Sequence, residues 1–549
     1  MAVKSSDVNE IDTEALDELV ARVQYAIDHE LSLSIGDMKL LLQAIHTLCH
    51  LQHCLEDKDI TLTKLRKLLG MIQSSERREQ PNASAKKPAK QNKSQGQQGK
   101  KKKERHKREI AVLHHSAVDY HKGQCCPDCK RGKLYKFEPG QLLRITGHAP
   151  YEAIQHVTER FRCNACQEVY QSSLPAHVLA DGKADQKYGY SARTLMALNK
   201  FYSGLPYYHQ GNLADIFGFS VTASTIFDQC EQVADAVMPV FNELKRQAAN
   251  AVSFLLDDTH NRILMQQPEL RKNPNGKGER LRTGVYSSGL IAILVNGREI
   301  VLFETSLGHA GEHLNDILRR RDNQLPAPLT MSDALSSNQV LSIPTQKAYC
   351  NAHARRKFVD IEALHPKEMK WALDTYRIIW QSDAIVQEKE LNPQERLNYH
   401  QQHSLPAMET LHQWAIEQQG LPSFEEHSAR GRAISYFLRH YAELTLFCRV
   451  AGALIDNNRM EEKLKIPIRG RKTAHFYKTS IGAGVANVLI SLIATADSAG
   501  INIYDYLLAL QQNKEVVKAS AENWLPWTYQ ETIDAIAEEI LEIDKKQAA

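Results

Sequence analysis

Leucine recurs every seventh residue at Leu41, Leu48, Leu55, Leu62 and Leu69, with Ala44, Leu51 and Leu65 three residues after some of them. This heptad spacing predicts a helix that pairs with another copy along its leucine seam. Lys58 interrupts the second seam position, and an amphipathic helix packed within the chain fits the same residues. Further on, NLADIFGFSVTASTIFDQ predicts two helices about a turn at Gly218, with Ser220 or Thr222 free to cap the second. That pattern is helix-turn-helix-like, and it is equally good helix-hairpin packing.

From Ala251 the periodicity changes. SFLLDD, TGVYSSGLIAILVN, EIVLFETS, APLTMSD and KAYCNAH read as β-strands, several of them continuous apolar runs, and HAGEHLNDILRRR reads as a helix between them. The expected core is α/β.

Composition and charge bound the rest. With 549 residues and 42% hydrophobic content the chain is long enough for about three or four domains. No run approaches the ~18 apolar residues of a membrane span. The N-terminus, MAVKSSDVNEIDTEALDELV, lacks the basic and apolar blocks of a signal peptide, so the chain reads as cytoplasmic. The net charge of +3 conceals an asymmetry: Arg77 to Glu109 holds thirteen Lys or Arg against three Glu, locally +10, which leaves +3 minus 10, or −7, elsewhere. This Lys-, Gln- and Ser-rich segment has too few large apolar residues to fold and reads as a disordered basic linker. It is either a solubilising spacer or a tether for phosphates.

Of ten cysteines, four form the C-x-x-C pairs Cys126/Cys129 and Cys163/Cys166, which together suit one tetrahedral Zn²⁺. The 33 residues between the pairs exceed the spacing of a compact ribbon and predict an extra hairpin or loop. Free buried cysteines are the alternative, and Cys125 could replace Cys126. Cys49, Cys54, Cys230, Cys350 and Cys448 show no ligand spacing and read as small core residues.

Two predicted strands end in acids, Asp257 after SFLL and Asp333 after PLTMS, where open α/β sheets place their sites. Such acids are commonly turn formers or caps, but on neighbouring strands they would make a platform for Mg²⁺. Chain physics leaves Asp257 and Asp258 interchangeable. A third acid is offered by DNNRMEEKLK, where Asn457, Glu461 and Lys465 would share one helix face, although spacing alone makes this an ordinary charged helix.

KLRKLLGMIQSSERRE, the paired knuckles, NKFYSGLPYYHQ, DDT at Asp257, NAHARRKF, DNNRMEEKLK, GRKTAHF and SLIATADSAGINIYDYL follow one another in order. In these motifs, from roughly Leu62 to Leu507, the chain resembles the insertion-sequence sixty-six family of transposases, DDE-type recombinases with a ribonuclease-H-like core. The resemblance implies catalytic Asp257, Asp333 and Glu461, selecting Asp257 over Asp258, which it leaves beside the site. It implies Mg²⁺ or Mn²⁺ bridged by these acids as two ions ~3.5 to 4 Å apart, and structural Zn²⁺ on the knuckles. It also implies cleavage at element ends and strand transfer on double-stranded DNA, at least a dimer during synapsis, and accessory proteins of the same element as candidate partners. His353, Arg355, Arg356 and Lys357, with Arg469, Arg471 and Lys472, are the expected phosphate contacts. Departures are Glu462 and Lys465 where Arg is usual, Asn351 for Trp, and Ala494-Thr495-Ala496-Asp497 for Glu-Thr-Ala-Lys. The extra acid beside Glu461 keeps open a second reading, an inactive or repurposed DNA-binding protein.

The expected organisation is therefore multidomain α/β. A leucine-heptad helical region (1–76) precedes the linker (77–110), a zinc-binding DNA-binding domain (111–185) and a helix-turn-helix-like region (186–250). A ribonuclease-H-like core (251–485) with a helical insertion at about 361–432 and a C-terminal helical region (486–549) complete it.

Overall fold

The computed structural model describes residues 13–29, 31–42, 122–125, 133, 149–162, 169–272 and 278–548. The chain divides into two compact units, 1–98 and 99–549. In the first, helix Thr13–Asp28 is followed by helical residues 35–42, and Arg22 bonds Asp37 at 3.0 Å. The leucine repeat beyond residue 42, the linker, and Cys126, Cys129, Cys163 and Cys166 lie outside the described residues. The strands flanking the second cysteine pair, Arg160–Arg162 and Val169–Gln171, are antiparallel partners.

In the second unit, α1 (Tyr190–Phe201) leads to α2 (Tyr207–Ile216) and α3 (Ala223–Ala248). The turn between α2 and α3 is the expected one: Gly218 sits at φ 76°, a conformation glycine adopts without cost, and Thr222 accepts the Thr225 amide to cap α3. The second helix packs one face into the fold. Its Ile226, Cys230, Val233, Val237, Phe241 and Leu244 are buried in the core, and exposed Asp228 and Asp235 present charge that repels phosphate. The two helices pack together as a hairpin against the core.

The apolar runs form one mixed sheet. Its strands are β1 (Ser253–Asn261), β2 (Val285–Ile293), β3 (Glu299–Ser306), β4 (Leu329–Ser332) and β5 (Gln346–Tyr349), in the order β3-β2-β1-β4-β5. β3, β2 and β1 are antiparallel neighbours, whereas β1, β4 and β5 run parallel. The helix α4 (Ala310–Leu318) lies in the connection from β3 to β4.

After β5 come α5 (Asn351–Val359) and the helical insertion: α6 (Pro366–Glu388), α7 (Pro393–His403), α8 (Leu405–Gln419) and α9 (Ala429–Arg439). These helices bury their own cluster around Met369, Tyr376, Leu411 and Phe437, joined to the sheet domain through Phe358. The insertion boundary expected at Arg432 falls inside α9, because Ala433, Ile434 and Phe437 continue that cluster.

The chain then returns through α10 (Asn458–Ala474) and α11 (Ser480–Ala499). By length and composition α11 is apolar enough to cross a membrane, contrary to the reading that no such run exists, but most of it is buried within the fold. It seals the sheet edge. Asn487 Oδ1, Ser491 Oγ and Thr495 Oγ1 accept the amides of Thr305, Phe303 and Val301 at 2.8 to 3.0 Å. Four helical residues rise about 6 Å and two strand residues about 6.7 Å, so an i, i+4, i+8 stripe meets every second amide of β3. The open edge is thereby satisfied.

Candidate active site

Asp257 lies within β1, not at its end. The strand continues to Asn261 because β2 keeps pairing, Asp257 opposite Gly289 and Asp258 opposite Ser288. On the other side β1 pairs with β4 through Ser253↔Leu329, Phe254↔Thr330 and Leu255↔Met331. Continuing that parallel register by two residues sets Asp257 level with Asp333, in the position next to β4, with the strands about 4.8 Å apart. Asp333 Oδ1 accepts Asn338 Nδ2 at 2.7 Å and the Leu335 amide at 3.3 Å, which fixes its carboxylate on the turn after β4.

Glu461 comes from the first turn of α10. The start of that helix is stapled to β1: buried Asn457 donates from Nδ2 to the Leu256 carbonyl at 2.8 Å, one residue before Asp257, and from its amide to Cys350 Sγ at 3.2 Å. Gly289 lets the helix approach. A Cβ there would meet Met460 Cε at 2.3 Å, Phe303 Cε1 at 3.1 Å and Leu464 Cδ2 at 3.3 Å. Neither Asn457 nor Gly289 carries a signal in the sequence alone that marks it as a positioning residue.

The three carboxylates share one electrostatic environment. Burial pushes the Asp257 carboxyl from its ordinary 3.8 up to about 7, and the charges of Asp333, Glu461 and Asp258 add to that rise against the Asp258 amide it accepts. Buried Glu461 Oε1 and His353 Nδ1 face each other at 3.8 Å, each without a hydrogen-bond partner. Acids crowded beside orphaned ligand atoms suit a divalent cation, whose charge would offset the repulsion.

Asp258 has a different job. Side chains alternate along a strand, so its carboxylate points to the opposite face from Asp257. There it accepts the Ser288 hydroxyl and the Ala310 amide that opens α4, and pairs with His309 Nδ1 at 3.0 Å. The expected role beside a metal ligand is thus replaced by a helix-anchoring one. Asp258→Asn should cost about 1 to 3 kcal/mol of stability, read as a lowered Tm, while the activity per folded molecule stays within a few-fold of wild type.

The expected phosphate contacts separate into two groups. Arg355 stacks over the Trp380 ring at 5.9 Å and, with Arg356, Arg377 and Asn458, lines a cleft of about 460 Å³ between α5, α6 and the start of α10. Lys357 lies over Tyr436 at 4.4 Å. His353 instead turns toward Glu461. On α10, Arg471 bonds Thr259 Oγ1 at 3.1 Å and the His260 carbonyl, which ties the helix to β1. Lys465, Arg469 and Lys472 are exposed at i, i+4 and i+7. The departure at Asp497 is met by Lys463, whose Nζ lies 2.9 Å from it.

Residues 187–484, over half of the chain, match the model of the Transposase IS66 family. Two proteins of Sinorhizobium fredii (strain NBRC 101917 / NGR234) align over 386 residues. Uncharacterized protein y4hP is 23% identical, the match covering 68% of this chain and 66% of the relative. Uncharacterized protein y4jD is 24% identical, with 68% and 72% covered. The match thus spans about two thirds of the first relative's length.

Proposed function

Because this chain belongs to the IS66 transposase family, we propose that it cuts DNA at the ends of an insertion element and joins the freed strand to target DNA, with Asp257, Asp333 and Glu461 as one metal platform. The observation that carries the reading is the arrangement of these acids: two level on adjacent parallel strands and a third on the first turn of α10, with Asp257 raised chiefly by burial and further by the charges of Asp333 and Glu461. The strand order, three antiparallel then two parallel, supports a ribonuclease-H-like core.

Mg²⁺ or Mn²⁺ bound there would act as a Lewis acid, lowering the pKa of the attacking water or 3′ hydroxyl and neutralising charge on the phosphate. The protein's own part is placement. Asn457 and Gly289 set Glu461 over β1, and the Asn338 turn sets Asp333. Arg355, Arg356 and Arg377, in the cleft they share with Asn458 at the start of α10, and exposed Lys465, Arg469 and Lys472 along α10, hold the DNA backbone. Cys126, Cys129, Cys163 and Cys166 hold Zn²⁺ in a separate DNA-binding module, and bringing two element ends together requires at least a dimer. Incubating the protein with a duplex that carries the element's inverted ends should give Mg²⁺- or Mn²⁺-dependent breaks with 3′ hydroxyl ends. Specific binding with no metal-dependent break would overturn the reading in favour of a DNA-binding remnant.

The raised Asp257 carboxyl gives a prediction that needs no DNA. Between about pH 4 and 7 the folded chain holds this proton more tightly than the unfolded chain, so stability through this group falls as pH rises across that window. Chelator-treated protein should therefore lose Tm from pH 5.5 to 8. Added Mn²⁺ should raise Tm more at pH 8, where no proton must be displaced. Asp257→Asn should flatten both trends in differential scanning fluorimetry; an unchanged pH trend in that variant would show that another group sets it.

A further inference from the structure

Cys350 and His353, three residues apart, sit at the start of α5 opposite Glu461. Sγ, the His353 ring nitrogen and a Glu461 oxygen all lie within 4.8 Å of one another. Three further features bear on what they do. Cys350 Sγ accepts the Asn457 amide at 3.2 Å at the N-cap of α5, while burial pushes its thiol up to about 11, so a bound cation must displace the proton. His353 Nδ1 and Glu461 Oε1 are buried atoms without hydrogen-bond partners. Their 3.8 Å separation is too long for a hydrogen bond and suits two ligands of one cation.

We propose that Cys350, His353 and Glu461 form a transition-metal site, selective for Zn²⁺-like cations over Mg²⁺, which fixes the inner oxygen of Glu461. Thiolate and imidazole ligands favour a soft or borderline cation, whereas Mg²⁺ prefers oxygen throughout. Binding transfers the thiol proton to solvent, and closing the ligands by about 1 Å reaches ordinary zinc distances. Three protein ligands leave the fourth position to water. With Oε1 held this way, the other Glu461 oxygen is directed toward Asp257 and Asp333. Only this last consequence rests on the proposed DNA chemistry; the site itself does not.

Co²⁺ titration of the full-length, metal-stripped protein tests it, read by sulfur-to-cobalt charge-transfer absorption in the near ultraviolet and by bound stoichiometry. Wild type should bind one more Co²⁺ per chain than Cys350→Ser, and Zn²⁺ should displace it. His353→Ala, which keeps the thiol, should weaken the same site by about tenfold or more and serves if Cys350→Ser fails to fold. Asp257→Asn should retain the cobalt signal in full even when it cuts no DNA, so the two readings fail separately. Equal stoichiometry and equal absorption in wild type, Cys350→Ser and His353→Ala would overturn the proposal.

Discussion

Asp257→Asn should abolish metal-dependent strand cleavage and joining, by on the order of 10³-fold or more, while leaving a folded and, without metal, somewhat more stable protein. Asparagine keeps the size of the side chain and removes the charge that burial and the neighbouring Asp333, Glu461 and Asp258 carboxylates oppose. In the metal-free protein that change relieves repulsion, so Tm at pH 8 should rise. In the presence of Mn²⁺ it removes a ligand, so the metal-dependent gain in Tm should shrink together with activity. Opposite movement of stability and activity is expected at a site where charges are held together for function. If activity and metal-free stability fell in parallel, Asp257 would be a structural residue.

Gly289→Val should have the second largest effect, lost through geometry alone. Gly289 carries no functional group and lies opposite Asp257 on β2, yet a single added Cβ already meets Met460, Phe303 and Leu464. A branched side chain must lift α10, and Glu461 with it, away from β1. The expected cost is about 2 to 4 kcal/mol of stability, with at least a hundredfold loss of cleavage in the molecules that still fold. Gly289→Ala should sit between, since Met460 presents a flexible end but is fully buried. Circular dichroism and urea midpoints separate folding loss from activity loss. Wild-type activity in Gly289→Val would show that Glu461 does not depend on this approach.

Much of the sheet was legible, because apolar runs such as EIVLFETS and PLTMS pack on both faces and leave a continuous hydrophobic signal. EIVLFETS became β3 from its first residue to its last. The choice between Asp257 and Asp258 was not legible from chain physics. Both belong to one strand, and only the helices covering each face, α10 on one and α4 on the other, give them different roles. The level pairing of Asp257 with Asp333 is a matter of parallel register, set by residues far apart in the chain. The second helix after Gly218 formed as read, but its fate in the core depended on the sheet it packs against. Cys350 is buried, as its reading as a core residue expects, but that reading overlooked its C-x-x-H spacing to His353, and the closure of the set by Glu461 needed the fold.

The most direct test sets wild type beside Asp257→Asn, Asp333→Asn, Glu461→Gln and Asp258→Asn on one duplex carrying an element end, with Mg²⁺ and with chelator. The structure predicts 3′ hydroxyl breaks and joined products from wild type and Asp258→Asn in Mg²⁺ alone, and none from the other three. Cleavage within about tenfold of wild type by any of those three, or cleavage that survives chelation, would contradict a shared metal platform.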